Sequence, residues 1–225
     1  MADTAVTERI LIFRWIPHAC VFLGMLLLSA LCVEWVDRPV MYYFHGLSQQ
    51  ADMAWAYEAA SAIGMLGKPQ GWLALFIGML VWRLVSNRKD ILQSLPVHAL
   101  AAILVSTVLV RLGKLIASRT RPSDLLEAGL YDFYWSFEKA HNGFPSGHSS
   151  LIASIMLVLA YHYPRWRYVC YAVAAAVALS RIVQIKHYTS DSLMGLYIGV
   201  ISAAMAWKFL TMWHEKRGQG RDRAV

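Results

Sequence analysis

His187 and Asp191 stand four residues apart, one helical turn, so on a helix they share a face. A carboxylate there can accept a hydrogen bond from one ring nitrogen. That fixes the tautomer and leaves the other nitrogen free as a nucleophile. A boundary histidine capped by an aspartate would read the same way. A second stretch, Phe144-Pro145-Ser146-Gly147-His148-Ser149-Ser150, opens an apolar run. Pro145 lacks an N–H and readily precedes a helix, Ser146 is a good N-cap, and Gly147 lets backbone come close to a ligand. The free N–H groups and dipole of that helix favour an anion, beside which His148 could give or take a proton. By itself the stretch is also an ordinary loop-to-helix junction. Lys114 and Arg121 are seven apart, two helical turns, and Pro122 is expected to end their helix at about Arg121. Arg181 closes a further apolar run. Three cations, neutral helix-end donors and two histidines meet the needs of phosphoryl transfer, which are positioning and electrostatic stabilisation. No metal and no cofactor is called for, since three fixed cations can do a metal's work.

These residues must be held by apolar elements. The chain has 225 residues, of which 58% are hydrophobic and 16% charged, with a mean hydropathy of +0.44. Its apolar residues come in long runs, which points to a bilayer rather than a single soluble core. Six segments are predicted as spans: Ile16–Val36, Gly71–Val85, Pro96–Leu112, Ser149–Tyr163, Tyr168–Val183 and Asp191–Trp213. A span needs about 20 residues and no fewer than about 17, so the second and fourth are short. The first segment has a weak secretory-signal character, with Arg9 and Arg14 before it and Ser29-Ala30-Leu31-Cys32 near its end. Bulky Leu31 and the anchor pair Glu34-Trp35 favour an uncleaved span.

The expected fold is all-α, a polytopic bundle of six transmembrane helices with both termini cytoplasmic. It forms one domain over residues 1–225, with a flexible tail from about 214. With the N-terminus inside, the inner pieces (Asp3, Glu8, Arg9, Arg14, Arg83, Arg88, Lys89, Asp90, Arg165, Arg167 and the C-terminal charges) carry the whole net charge of +7. The outer side balances to zero. This positive-inside pattern accounts for the basic character without nucleic acid. The outer ends of spans three to six then lie on one face and bring the three clusters together. Outer loop one is expected to hold a surface helix near Met53–Ala62, and outer loop two an aromatic cluster from Tyr131 to Phe137.

Arg111 and Arg119 are read as snorkelling to the surface, because a cation at the bilayer centre costs roughly 2.5–3.5 kcal/mol on insertion scales. Cys20, Cys32 and Cys170 read as buried thiols. His18, His45, His98, His162 and His214 read as core or interface residues. His141, close to the site in sequence, is a candidate substrate contact.

The three blocks together resemble the type 2 phosphatidic acid phosphatase superfamily: Lys114 through Arg121-Pro122, then Pro145-Ser146-Gly147-His148, then Ser180-Arg181 through His187 and Asp191. They span residues 114–191 with no departure at a motif position. The resemblance implies that His187 attacks phosphorus and that Asp191 orients it and supports its positive charge. It implies that His148 protonates the leaving oxygen and then deprotonates water. Lys114, Arg121, Ser146, Gly147 and Arg181 would hold the phosphate oxygens. It implies a bundle in the bacterial inner membrane with its site at the periplasmic surface, acting on a lipid phosphate. Undecaprenyl diphosphate, phosphatidylglycerophosphate, phosphatidate and lipid A phosphates are the candidate substrates. Arg119-Thr120-Arg121-Pro122 with Gly129 to Phe133 leans slightly toward lipid A phosphatases. The competing readings are a lipid phosphotransferase of the same superfamily, a vanadium haloperoxidase relative, which six apolar spans disfavour, and a non-catalytic lipid binder or transporter, which intact motifs disfavour.

Overall fold

Proline and serine set several of the helix starts. The computed structural model describes residues 18–86, 91–135 and 141–222. The expectations placed on Asp3, Glu8, Arg9, Arg14, Arg88, Lys89, Asp90, Ser136, Phe137 and Arg223, and on the start of the first span, lie outside the described residues. Within them the fold is all-helical, with one isolated β-bridge between Arg119 and Phe133. The helices are α1 (His18–Trp35), α2 (Asp37–Ser48), α3 (Ala54–Met65), α4 (Pro69–Val85), α5 (Leu95–Ala117), α6 (Pro122–Ala128), α7 (Gly147–His162), α8 (Arg167–Val183) and α9 (Thr189–Asp222). Pro69, Pro96 and Pro122 each stand in a first turn, where a missing N–H costs nothing. Ser146 caps α7 and accepts the Ser149 N–H.

By length and composition, three helices can cross a membrane: Leu95–Ala117, Pro164–Val183 and Thr189–Glu215. A fourth crossing exists if α1 and α2, bent by 54° at Val36, make one span. Two of the six expected spans are shorter. α7 has 16 residues, about 24 Å at 1.5 Å per residue, against a hydrocarbon core of about 30 Å. Its apolarity has another cause: α7 is the central helix, packed against α5, α8 and α9. A helix apolar all round is what such a position requires, and Ile152 and Ile155 are wholly buried there among Phe76, Ala99, Ala102 and Val177.

Several boundaries differ from expectation. α5 runs on to Ala117 and stops at Ser118, which takes the left-handed conformation (φ 40°) as C-cap. Lys114 and Arg121 therefore do not share one helix face, because the chain breaks between them and restarts as α6. The surface helix of loop one is present as α3, but it packs on α8 through Ala60 and Gly64. Residues 37–48, expected as loop, form α2. The last helix starts at Thr189 and continues through the expected flexible tail to Asp222. Cys20 is exposed, whereas Cys32 and Cys170 are buried as expected.

The crossing of α7 and α9 is the tightest part of the bundle. Gly195 and Gly199 are one turn apart on α9. A Cβ on Gly195 would stand 2.5 Å from the Ser146 carbonyl oxygen and 2.9 Å from Ser149 Cβ, and one on Gly199 would overlap the Ser150 carbonyl. Small residues four apart let two backbones approach, as in membrane helix pairs. Ser106 and Ser150 share a hydrogen bond of 2.7 Å that ties α5 to the same helix. The Gly199→Val protein should lose roughly 1–3 kcal/mol of stability from overpacking, read as a lower unfolding temperature in detergent. Gly78→Val on α4, where a Cβ meets nothing within 4 Å, should leave that temperature nearly unchanged.

Candidate functional site

The turn between α8 and α9 delivers His187. Ile185 adopts a left-handed conformation (φ 55°), which folds the chain back so that the Lys186 and His187 N–H groups both donate to the Arg181 carbonyl, at 3.0 and 3.3 Å. His187 is 6% exposed. Its Nδ1 lies 2.8 Å from the Gly143 carbonyl oxygen and 3.5 Å from Asp191 Oδ2. A carbonyl only accepts, so Nδ1 carries the proton and Nε2 presents its lone pair. The predicted tautomer is thus set, but chiefly by a backbone carbonyl. Asp191 Oδ2 is occupied by the Tyr188 N–H at 2.9 Å, and its charge reaches the imidazole without a short hydrogen bond.

Gly143 has to be glycine. A Cβ there would stand 2.6 Å from the Thr120 carbonyl oxygen and 2.8 Å from that of Arg119. Its own N–H donates to the Arg119 carbonyl at 2.8 Å. The neighbouring Asn142 carbonyl accepts a hydrogen bond from Lys114 Nζ. One short loop therefore anchors both the candidate nucleophile and a candidate phosphate-binding cation.

Arg119 overturns its expected role. It does not snorkel: it is 1% exposed. Its Nη1 donates to Asp191 Oδ1 at 2.5 Å and to Ser190 Oγ at 2.6 Å. Its Nη2 donates to Asp37 Oδ2 at 2.8 Å and to the Tyr131 hydroxyl at 3.2 Å. The guanidinium lies over the rings of Tyr188 and Phe133, 4.4 and 4.7 Å from their centroids. Burial opposes its charge, but the two carboxylates hold its pKa above the ordinary value. Arg111, by contrast, is exposed.

The Ser146-Gly147-His148 block joins this group through backbone. The Ser146 N–H donates to the Asp191 carbonyl at 2.9 Å, and Ser146 Oγ accepts from Ser149 Oγ at 3.0 Å. Ser146 is fully buried, so it acts as the joint between α7 and α9, and the Gly147 and His148 amides follow at the helix head. Around Gly147 there is room: an added Cβ meets only Val110 Cγ1, at 3.7 Å. His148 sits close enough to Arg181, His187, Lys68 and Lys114 for their charges to act on it. Gly67 packs against its ring, where a Cβ would be 2.8 Å from His148 Cδ2.

Arg181 is 8% exposed. Its guanidinium occupies the space left by the missing side chain of Gly64, and its Nε has no hydrogen-bond partner among the described residues. A buried guanidinium N–H without an acceptor is rare, and an anion would satisfy it. Lys114 and Arg121 both act electrostatically on His187. The structure thus gathers His187, Asp191, His148, Ser146, Gly147, Lys114, Arg121 and Arg181. His141 lies to the side, stacked on Tyr134 and 3.5 Å from Asp124. His98 and His162 pack on Trp207 in a separate aromatic cluster.

Burial lowers the pKa of His187, Asp191 opposes the shift, and Lys114 and Arg121 add to it, so the result lies below the ordinary 6.5. The imidazole therefore stays neutral, with Nε2 available, to a lower pH than a free histidine would.

The chain is similar to a known family. The model of the PAP2 superfamily matches residues 95–215. A lipid A 1-phosphatase of Rhizobium johnstonii is 28% identical over 200 residues, covering 83% of this chain and 77% of that protein. A lipid A 1-phosphatase of Rhizobium etli is 31% identical over 133 residues, covering 56% and 57%. Among solved structures, LpxE of Aquifex aeolicus superposes with a TM-score of 0.54 at 22% identity, covering 74% of this chain and 93% of that one. A transmembrane PAP2 type phosphatidylglycerolphosphate phosphatase from Bacillus subtilis superposes with a TM-score of 0.57 at 22% identity, covering 85% and 94%.

Two glycines separate the roles of this site. Gly143→Ala should disturb the His187 anchor and cut turnover by roughly 100-fold or more, as a small misplacement of a reacting group does. Gly147→Ala should leave the unfolding temperature within a degree or two while still lowering phosphatase activity. Unchanged activity in Gly147→Ala would remove that backbone from the substrate contact.

Proposed function

The chain belongs to the PAP2 superfamily, and on that premise we propose that it is a membrane lipid phosphatase working through a phosphohistidine. The observation that carries this reading is the His187 Nδ1–H bound to the Gly143 carbonyl. It leaves Nε2 as a free nucleophile among Lys114, Arg121, Arg181 and His148. In the first step Nε2 forms a bond to phosphorus while the bond to the lipid oxygen breaks. His148 gives that oxygen its proton. In the second step His148 takes a proton from water, the hydroxide oxygen bonds to phosphorus, and the P–N bond breaks to release inorganic phosphate. Lys114, Arg121 and Arg181, with the Gly147 amide at the head of α7, balance charge on the equatorial oxygens.

The relatives named lipid A 1-phosphatase support a phosphorylated glycolipid as the first substrate to test. The cationic bias of the inner pieces supports a six-span layout in the bacterial inner membrane, with both termini cytoplasmic and the site facing the periplasm. In that layout α7 crosses within the protein's own packing, while α4, with only Phe76 buried, meets lipid along with the remaining helices.

His187→Ala should lower turnover by a factor on the order of 10,000 or more, as loss of a covalent nucleophile does, and should form no phosphohistidine on rapid quenching. Full activity in that variant would sink the assignment. His148→Ala should cost on the order of 100- to 10,000-fold for a monoester, and less for a diphosphate, whose leaving group needs no proton. The acid limb of kcat/KM should fall below pH 6.5, because a lowered His187 pKa means the neutral nucleophile is lost only as pH drops through that lower value. Phosphate release in detergent from lipid A, phosphatidylglycerophosphate, phosphatidate and undecaprenyl diphosphate should be fastest for lipid A. Equal rates on all four would remove the substrate preference.

A further inference from the structure

We infer that Asp37, at the head of α2 and outside the stretch that the family model matches, is a positioning residue that keeps the buried charge beneath His187 net negative. Asp37 is 1% exposed. Its Oδ1 accepts the Ser190 N–H at 2.9 Å. Its Oδ2 accepts Arg119 Nη2 at 2.8 Å and Ser190 Oγ at 2.5 Å. Ser190 in turn accepts from Arg119 Nη1 and is followed directly by Asp191. Asp37, Arg119 and Asp191 are thus one unit of two carboxylates and a single cation.

The excess negative charge has a use. Arg119 and Asp191 alone would be a neutral pair. His187 would then face Lys114 from α5, Arg121 at the head of α6 and His148 from α7 with no net anion behind it. When Nε2 bonds to phosphorus and Nδ1 keeps its proton, the ring gains positive charge. With Asp37 in place the unit behind the ring carries one net negative charge, which favours that step. Asp37 itself faces Arg119, the phenols of Tyr131 and Tyr188, and the Cys32 thiol of α1. Of these only Arg119 is charged at neutral pH. The bend between α1 and α2 thereby carries charge to a site whose candidate catalytic and phosphate-binding residues lie on and between α5 to α9.

This inference rests on His187 as the nucleophile. The test uses full-length protein in detergent and a lipid phosphate that the wild type hydrolyses. Asp37→Asn should lower kcat roughly tenfold with KM within about twofold, and should move the acid limb of kcat/KM down by roughly one pH unit, the same factor of ten in proton affinity. The double variant Asp37→Asn with Arg119→Gln removes both charges and leaves Asp191 as the net anion, so its acid limb should return to the wild-type position. Loss of a merely structural bond would not move the limb and bring it back. An unmoved limb in Asp37→Asn overturns the inference. If that variant does not fold, the double variant decides alone: a limb at the wild-type position supports the inference and a displaced one overturns it. Wild-type enzyme that turns over without labelled phosphohistidine overturns the nucleophile reading itself, whatever Asp37 does.

Discussion

A guanidinium taken out of water must be met by negative charge and acceptors, or the fold does not form. Arg119 is the case on which this structure depends. Several kcal/mol oppose burying its charge, and removing one partner from such a group costs roughly 3–5 kcal/mol. The chain answers with carboxylates from opposite ends of the sequence, Asp37 and Asp191. It adds a hydroxyl from Ser190, a phenol from Tyr131 and aromatic faces from Phe133 and Tyr188. The backbone of Arg119 is used as well. Its carbonyl takes the Gly143 N–H, and the Gly143 carbonyl takes the His187 ring proton. Fixing this one residue fixes Asp191 through its side chain and the His187 ring through its main chain.

The helix crossing supplies the matching constraint on the other side. Ser146 can give its N–H to the Asp191 carbonyl only because Gly195 and Gly199 bring α9 against the first turns of α7. A side chain at either position would push the two helix starts apart. The head of α7 would then lose its register with His187. The small serines of α7, Ser149, Ser150 and Ser154, are wholly buried for the same reason. They let a central helix pack closely on three neighbours while each hydroxyl finds a bond within reach.

Much of the site was legible in the sequence, because its chemistry lies in short blocks whose spacing survives folding. His187 and Asp191 are near each other over one turn whether or not that turn is helical. Ser146 caps its helix as a serine before Gly147-His148 should. The pairing of Lys114 with Arg121 was reached by the wrong route, since helical periodicity assumes continuity and Ser118 breaks it with a left-handed residue that nothing in its type announces. Arg119 was misread because a cation beside an apolar run ordinarily snorkels, and the local sequence holds no sign of Asp37, more than eighty positions upstream. Gly143 was invisible for a related reason: its need to lack a side chain comes from Arg119 and Thr120 carbonyls that only the fold brings near. For α7, hydropathy reported burial but not what does the burying. Protein surrounds α7 on most sides, so its apolarity does not by itself measure a bilayer.

Hydrogen bonding separates the parts of the candidate site that are closed within the protein from the part that is open. Asp191, Ser146, Arg119 and the Nδ1 side of His187 have their hydrogen bonds made within the protein. Arg181 does not: its guanidinium is inserted where Gly64 leaves space, with Nε unmet. A buried donor left open is destabilising by roughly 1–3 kcal/mol, so the fold tolerates it only where something else gains. Arg181 lies near enough to His148 for its charge to act there, and on the proposed function an incoming phosphate would supply the missing acceptor. On the proposed function, the stability given up at Arg181 would return as affinity for negative charge developing on a phosphoryl group.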